Sequence, residues 1–219
     1  SAVDDGIGAI LDTLDELGIA QDTAVIFAGD NGYFFGEHGG LGDKRKPYEE
    51  ALRIPLLMRY PRLGVPEGKR ETALVLNIDL APTILELAGL PPDPGMDGQS
   101  WLGVVAGKAP GRERFLYEYF EELKYASSPT SLGVRTKRYK YTQYPLIQGE
   151  VEELYDVAQD PRELVNLAGK PEFAETLAEM RDMLEELKAE TRFKMPEGIP
   201  FGPPPAARPN PSAGLRPGA

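Results

Sequence analysis

The chain has 219 residues, with 24 Lys and Arg against 35 Asp and Glu, for a formal net charge of −11. That acidity argues against nonspecific nucleic-acid binding, which needs a basic surface. With no cysteine and one histidine, His38, these residues exclude disulfides, thiolate metal sites, a cysteine nucleophile and a multi-histidine zinc centre. Hydrophobic residues make up 41%, an ordinary globular share, and no apolar run approaches the length of a membrane span.

In chain order, Val3, Ile7, Ile10, Leu11, Leu14 and Leu17 recur at three- and four-residue steps and predict a helix over 3–17, stopped at Gly18. Residues 23–28 are apolar throughout, which suits a strand covered on both faces, hence a parallel sheet with helices around it. A Gly-rich loop over 32–47 carries His38 and the basic triplet Lys44-Arg45-Lys46. Pro47 opens a short helix to Leu52. Residues 54–60 read as a strand, with Pro55 placing it at an edge or a strand start. Thr72 to Asn77 reads as extended, and Asp79 as the N-cap of a helix over 80–88. A short helix over 99–106 carries Trp101. Beyond it, strands are expected at 114–120, 131–136, 139–144 and 152–157, a turn at 160–163, and a strong helix over 171–191 with Phe173, Leu177, Met180, Leu184 and Leu187 in one stripe. The expected domains are an α/β unit over 1–110, an antiparallel sheet packed on a helix over 111–194, and a Pro-rich irregular tail over 195–219.

Four places could carry chemistry. Asp30-Asn31 follows the first strand, where ligands gather in open α/β sheets. A carboxylate and an amide carbonyl are hard oxygen ligands suited to Ca²⁺ or Mg²⁺, although Asp-Asn-Gly is also an ordinary turn signal. The loop Gly36-Glu37-His38-Gly39 with Lys44 and Arg45 offers an anion clamp and a proton donor, or simply a solvated basic triplet beside a surface histidine. The aromatics Tyr117, Tyr119, Phe120, Tyr125, Tyr139, Tyr141 and Tyr144 either stack on sugars or fill one face of a sheet. The stripe of the 171–191 helix serves either a coiled-coil seam or, more simply, core packing.

Taken together, the run Ala24–Tyr33, then Gly36-Glu37-His38-Gly39, Asp43-Lys44-Arg45, Tyr48-Glu49-Glu50, Leu52–Leu56 and Arg59-Tyr60-Pro61 resembles the second half of a formylglycine-dependent sulfatase of the alkaline phosphatase superfamily. Asn77-Ile78-Asp79-Leu80-Ala81-Pro82-Thr83 resembles a helix start of that family. Glu153-Leu154-Tyr155-Asp156 with Asp160-Pro161-Arg162-Glu163 and Asn166-Leu167 resembles its C-terminal signature. The resemblance covers about residues 3–190, and the spacing Asp-Lys-Arg…Tyr-Glu leans toward sulfatases of sulfated sugars, glucosamine-6-sulfatase-like members among them.

The resemblance implies the C-terminal part of an alkaline-phosphatase-like α/β sandwich plus a small antiparallel sheet packed on a C-terminal helix. It implies that Asp30 and Asn31 bind a divalent cation, usually Ca²⁺. Lys44 would contact the sulfate and handle the leaving oxygen, and His38 and Arg45 would touch sulfate or substrate. The family's nucleophile is a formylglycine made from Cys or Ser in a C/S-x-P-x-R motif. The similar string here, Ser127-Ser128-Pro129-Thr130-Ser131, lacks the Arg and reads as a loop. The expectation is therefore a C-terminal portion of a sulfatase acting on a sulfated carbohydrate, inactive alone, whose parent is periplasmic or secreted. A phosphoryl or phosphonate hydrolase of the same superfamily is one alternative, and a noncatalytic glycan-binding module is another.

Overall fold

A computed structural model of the chain describes residues 1–122, 128–149 and 151–198. The expected tail from residue 199 onward, Tyr125 and Ser127 lie outside the described residues. In chain order the elements are α1 (Ala2–Glu16), β1 (Val25–Ala28), α2 (Glu37–Gly40), α3 (Glu49–Leu52), β2 (Leu56–Arg59), α4 (Leu80–Leu87), α5 (Leu102–Val105), β3 (Arg114–Tyr119), β4 (Ser131–Thr136), β5 (Tyr139–Gln143), β6 (Glu152–Asp156) and α6 (Ala174–Glu190). The chain divides into two compact units, Ser1–Asp30 with Ile54–Glu113, and Asn31–Arg53 with Arg114–Ala219.

In the first unit β1 and β2 form a two-stranded sheet, with Val25 opposite Arg59 and Ala28 opposite Leu56. The pairing is antiparallel, where the unbroken apolar run predicts a parallel one. Such a run reports how much of a strand is covered, not which way its neighbour points. The coverage here is also incomplete, since Phe27, Leu56 and Leu57 are exposed. α1 forms where its periodicity places it, with Ser1 accepting from the Asp4 N–H, yet none of its residues is buried. Residues 72–77 make no strand; only an isolated bridge joins Leu74 to Arg112 before a 3₁₀ turn at Asn77–Asp79. Asp79 precedes α4, but its carboxylate does not cap that helix. It turns back to accept from the Leu76 and Gln99 N–H groups and from both terminal nitrogens of Arg112. A bidentate guanidinium outcompetes one cap bond for a buried carboxylate.

The second unit is built on the antiparallel sheet β3-β4-β5-β6. Side chains alternate between its faces, and the register sorts them. Val134, Tyr141 and Leu154 stand opposite one another on one face. They pack with Leu132 against Leu177, Met180, Leu184 and Leu187 of α6. Each such side chain, fully buried, contributes about 1.5–3 kcal/mol. The stripe is thus core packing and not a coiled-coil seam. Arg114 of β3 reaches Glu186 and Glu190, and Arg181 reaches Glu152, which pins α6 along the sheet.

The other face is polar. Tyr117, Gly133, Thr142 and Glu153 form one cross-strand row, and Arg135, Lys140 and Tyr155 form the next. Against it lie Phe34, Tyr48 and Ala51 from the loop 31–53, packed with Tyr155 and Val157. The tyrosines therefore do not line a single face: Tyr117 and Tyr141 are buried on opposite sides, the Tyr117 hydroxyl donating to the Tyr141 carbonyl. Buried rings of this kind offer no stacking surface to a sugar.

Candidate active site

β1 ends at Ala28, and the chain is then fixed at two points. The Gly29 N–H donates to the Pro55 carbonyl at 3.1 Å, and the Gly32 N–H to the Ala51 carbonyl at 2.9 Å. A Cβ on Gly32 would collide with the backbone of Glu50 and Arg53, so only glycine lets the chain pass. Asp30 and Asn31 occupy the two positions between these anchors, and both are exposed. A carboxylate oxygen and an amide carbonyl oxygen are the hard donors that Ca²⁺ takes.

The loop that follows is held by its own rungs. Phe34 donates to the Asp43 carbonyl and Gly36 to the Leu41 carbonyl, both at 2.9 Å, and the Phe34 ring is fully buried. At the tip, His38 takes a left-handed conformation with φ of +51°, followed by Gly39 at +85°. A residue with a Cβ resists that region by about 1–2 kcal/mol, and side-chain contacts hold it there. The His38 ring stacks on Tyr48 at 4.0 Å and 10°, stands edge-on to Phe34, and its Nε2 lies 3.0 Å from Glu50 Oε2. His38 is thus set in an aromatic and acidic socket rather than on a solvated surface.

Lys44 and Arg45 leave the loop together. Asp43 Oδ1 accepts from the Lys44 N–H and from Arg45 Nη1, each at 2.6 Å, while Arg45 Nε donates to Glu122 at 3.0 Å. These two carboxylates raise the guanidinium's affinity for its proton against the opposing pull of desolvation. Glu122 and burial together lift the Tyr119 hydroxyl to about 12. The structure therefore groups His38 with Tyr48 and Glu50, and Lys44 and Arg45 with Asp43.

Sequence reasoning gave no role to the charges beneath the loop. Glu49 is held by Arg135 in a two-pronged pair at 2.9 and 3.1 Å. Burial works upward on its carboxyl, but Arg135 and Lys140 outweigh it and leave it below the usual range. Lys140, fully buried, contacts Glu163 and lies over the Tyr48 ring. Burial pushes its ammonium down and the Glu163 carboxyl up. His38, Glu50 and Glu163 bring potential ligand atoms within 4.8 Å of one another. Lys140 already sets its positive charge against Glu163, so a cation bound by this trio would have to displace it. The available sequence signals were faint. Lys140 sits between two tyrosines in a strand, where alternation predicts exposure, and Glu163 closes a turn.

The protein-family model described as "N-sulphoglucosamine sulphohydrolase, C-terminal" matches residues 36–190. The chain belongs to this family, a C-terminal portion of the sulfatases. It is 35% identical over 202 residues to an N-acetylglucosamine-6-O-sulfatase of Bacteroides thetaiotaomicron, an alignment covering 90% of this chain and 35% of that protein. Among solved structures it is similar to one in complex with its substrate D-glucosamine-2-N,6-O-disulfate, at 34% identity and a TM-score of 0.81, covering 87% of this chain and 39% of the other. It is also similar to a phosphonate monoester hydrolase of Agrobacterium radiobacter, at 25% identity and a TM-score of 0.75, covering 86% and 39%. The chain spans about a third of the length of the curated relatives it matches. Among the described residues no helix is long and apolar enough to cross a membrane.

Proposed function

We propose that this chain is the leaving-group and cation-binding portion of an enzyme that hydrolyses sulfate esters on a carbohydrate. The likeness to a structure holding a disulfated glucosamine carries this reading. Asp30 and Asn31 would hold Ca²⁺, which when bound offsets charge on the sulfate oxygens. The nucleophile, a formylglycine in this reading, belongs to a segment beyond these residues. Lys44, a compact cation, would bind a sulfate oxygen and stabilise the departing alkoxide. His38, aligned by Glu50 and Tyr48, would give that oxygen its proton. Arg45 would contact the sulfated substrate, released for that purpose from one of its two carboxylates. The 219 residues alone would be inactive, and the longer protein would work in the periplasm or outside the cell.

The test is hydrolysis of glucosamine 6-sulfate by the longer protein containing this chain. Lys44→Ala should lower kcat by about 10²–10³. Asp30→Ala and chelation should each abolish turnover, with added Ca²⁺ restoring only the chelated wild type. Unchanged turnover in Lys44→Ala would refute the assignment. The similarity to a phosphonate monoester hydrolase supports a second reading, phosphonate or phosphate ester hydrolysis. Paired sulfate and phosphonate esters of one leaving alcohol separate the two.

A further inference from the structure

The turn at 160–163 contains a costly residue. Glu163 is a buried carboxylate at a φ of +52°, a position glycine or asparagine would fill with less strain. What a glutamate adds is an acceptor delivered to one place. Its Oε2 accepts from the Glu49 N–H at 2.6 Å, at the first residue of α3. Its Oε1 contacts the Lys140 ammonium, which is itself fully buried and ringed by Glu49 and the Tyr48 face.

The residues on either side of that N–H are the ones that hold the histidine. Tyr48 stacks on the His38 ring and donates its hydroxyl to Glu153, and Glu50 binds His38 Nε2. The position of the α3 backbone therefore sets the position of the imidazole. Arg135 fixes the Glu49 side chain from the same sheet face, but the bond to its main chain comes from Glu163.

We propose that Glu163 is a positioning residue: its carboxylate, steadied by Lys140, caps α3 through the Glu49 N–H and so fixes Tyr48, Glu50 and, through them, His38. This rests on the reading of His38 as the group that protonates the leaving oxygen. It gives the buried end of the C-terminal signature a purpose at the reacting loop.

Two double variants isolate the acceptor. Glu163→Gln with Lys140→Met removes both buried charges but keeps a carbonyl oxygen for the Glu49 N–H. Glu163→Leu with Lys140→Met removes the charges and the acceptor. Two readouts apply. One is the NMR signal of the His38 imidazole in the 219-residue chain, where it is the only histidine and carries the ring-current shift of Tyr48. The other is the split between kcat and KM on glucosamine 6-sulfate in the longer protein.

The Gln/Met pair should keep the His38 shift and a kcat within about threefold of wild type. The Leu/Met pair should lose the shift and lower kcat tenfold or more, with KM little changed. Equal kcat and equal shifts in the two pairs, whether both intact or both lost, would overturn the proposal. If the wild type does not turn over the sulfate ester, the functional reading fails, and the His38 shifts still decide whether Glu163 positions the ring.

Discussion

A carboxylate taken out of water needs donors on every side, and Asp79 is supplied with four. It is 1% exposed and accepts two backbone N–H groups and a forked pair from Arg112. Asp79→Ala would leave a half-buried guanidinium and two amides unmatched, and should lower stability by about 3 kcal/mol. A loss of unfolding free energy below about 1 kcal/mol in denaturant titration would mean that water replaces those bonds. The same residue shows how far single positions were legible. Its place before α4 followed from the sequence, but its partners, 20 and 33 residues away, could not. Lys44, Arg45 and His38 were singled out because they stand in a recognisable order. Lys140 was not, and Glu50 and Glu163 stood in motifs without a role, because their meaning lies in whom they face across the fold.

The elements of the second unit follow from two periodicities. The β3–β6 strands formed where the 2-residue pattern put them, within a residue at their ends, and the α6 stripe where the 3.6-residue pattern put it, although the helix begins three residues late, behind a 3₁₀ turn at Pro171–Phe173. Alternation does not tell exposed from covered where a sheet is packed on both sides. It marks Lys140 as solvent-facing, yet the loop 31–53 covers that face and buries it. The close approach of Tyr117 to β4 is bought with Gly133, where a Cβ would fall within contact of the Tyr117 ring and the Tyr141 carbonyl. Gly133→Ala should therefore destabilise the sheet by about 3 kcal/mol, read as a lower thermal midpoint. A Tyr117→Leu background should recover part of that loss, and no recovery would place the strain elsewhere.

At the scale of the whole molecule, acid stability reports the buried charges. The Glu49 carboxyl is lowered from 4.5, so between its folded value and about pH 4.5 the unfolded chain binds more protons. Its contribution is full above that window and disappears as pH falls through it. The Tm should drop on acidification below about pH 4.5, and Glu49→Gln should flatten the drop while lowering Tm at neutral pH. Glu163, raised from 4.5, works the other way, its contribution present below that value and lost as pH rises through its folded value. An unchanged acid slope in Glu49→Gln would assign the drop to other carboxylates. By itself the sequence determined most of the elements, the family and the order in which Asp30, Asn31, His38, Lys44 and Arg45 stand, because local periodicity and motif spacing are properties of neighbours along the chain. The tertiary structure alone decided the antiparallel β1–β2 pairing, the two-sided burial of the β3–β6 sheet and the chain of contacts from Glu163 to His38. Those depend on which distant residues meet once water is excluded between them.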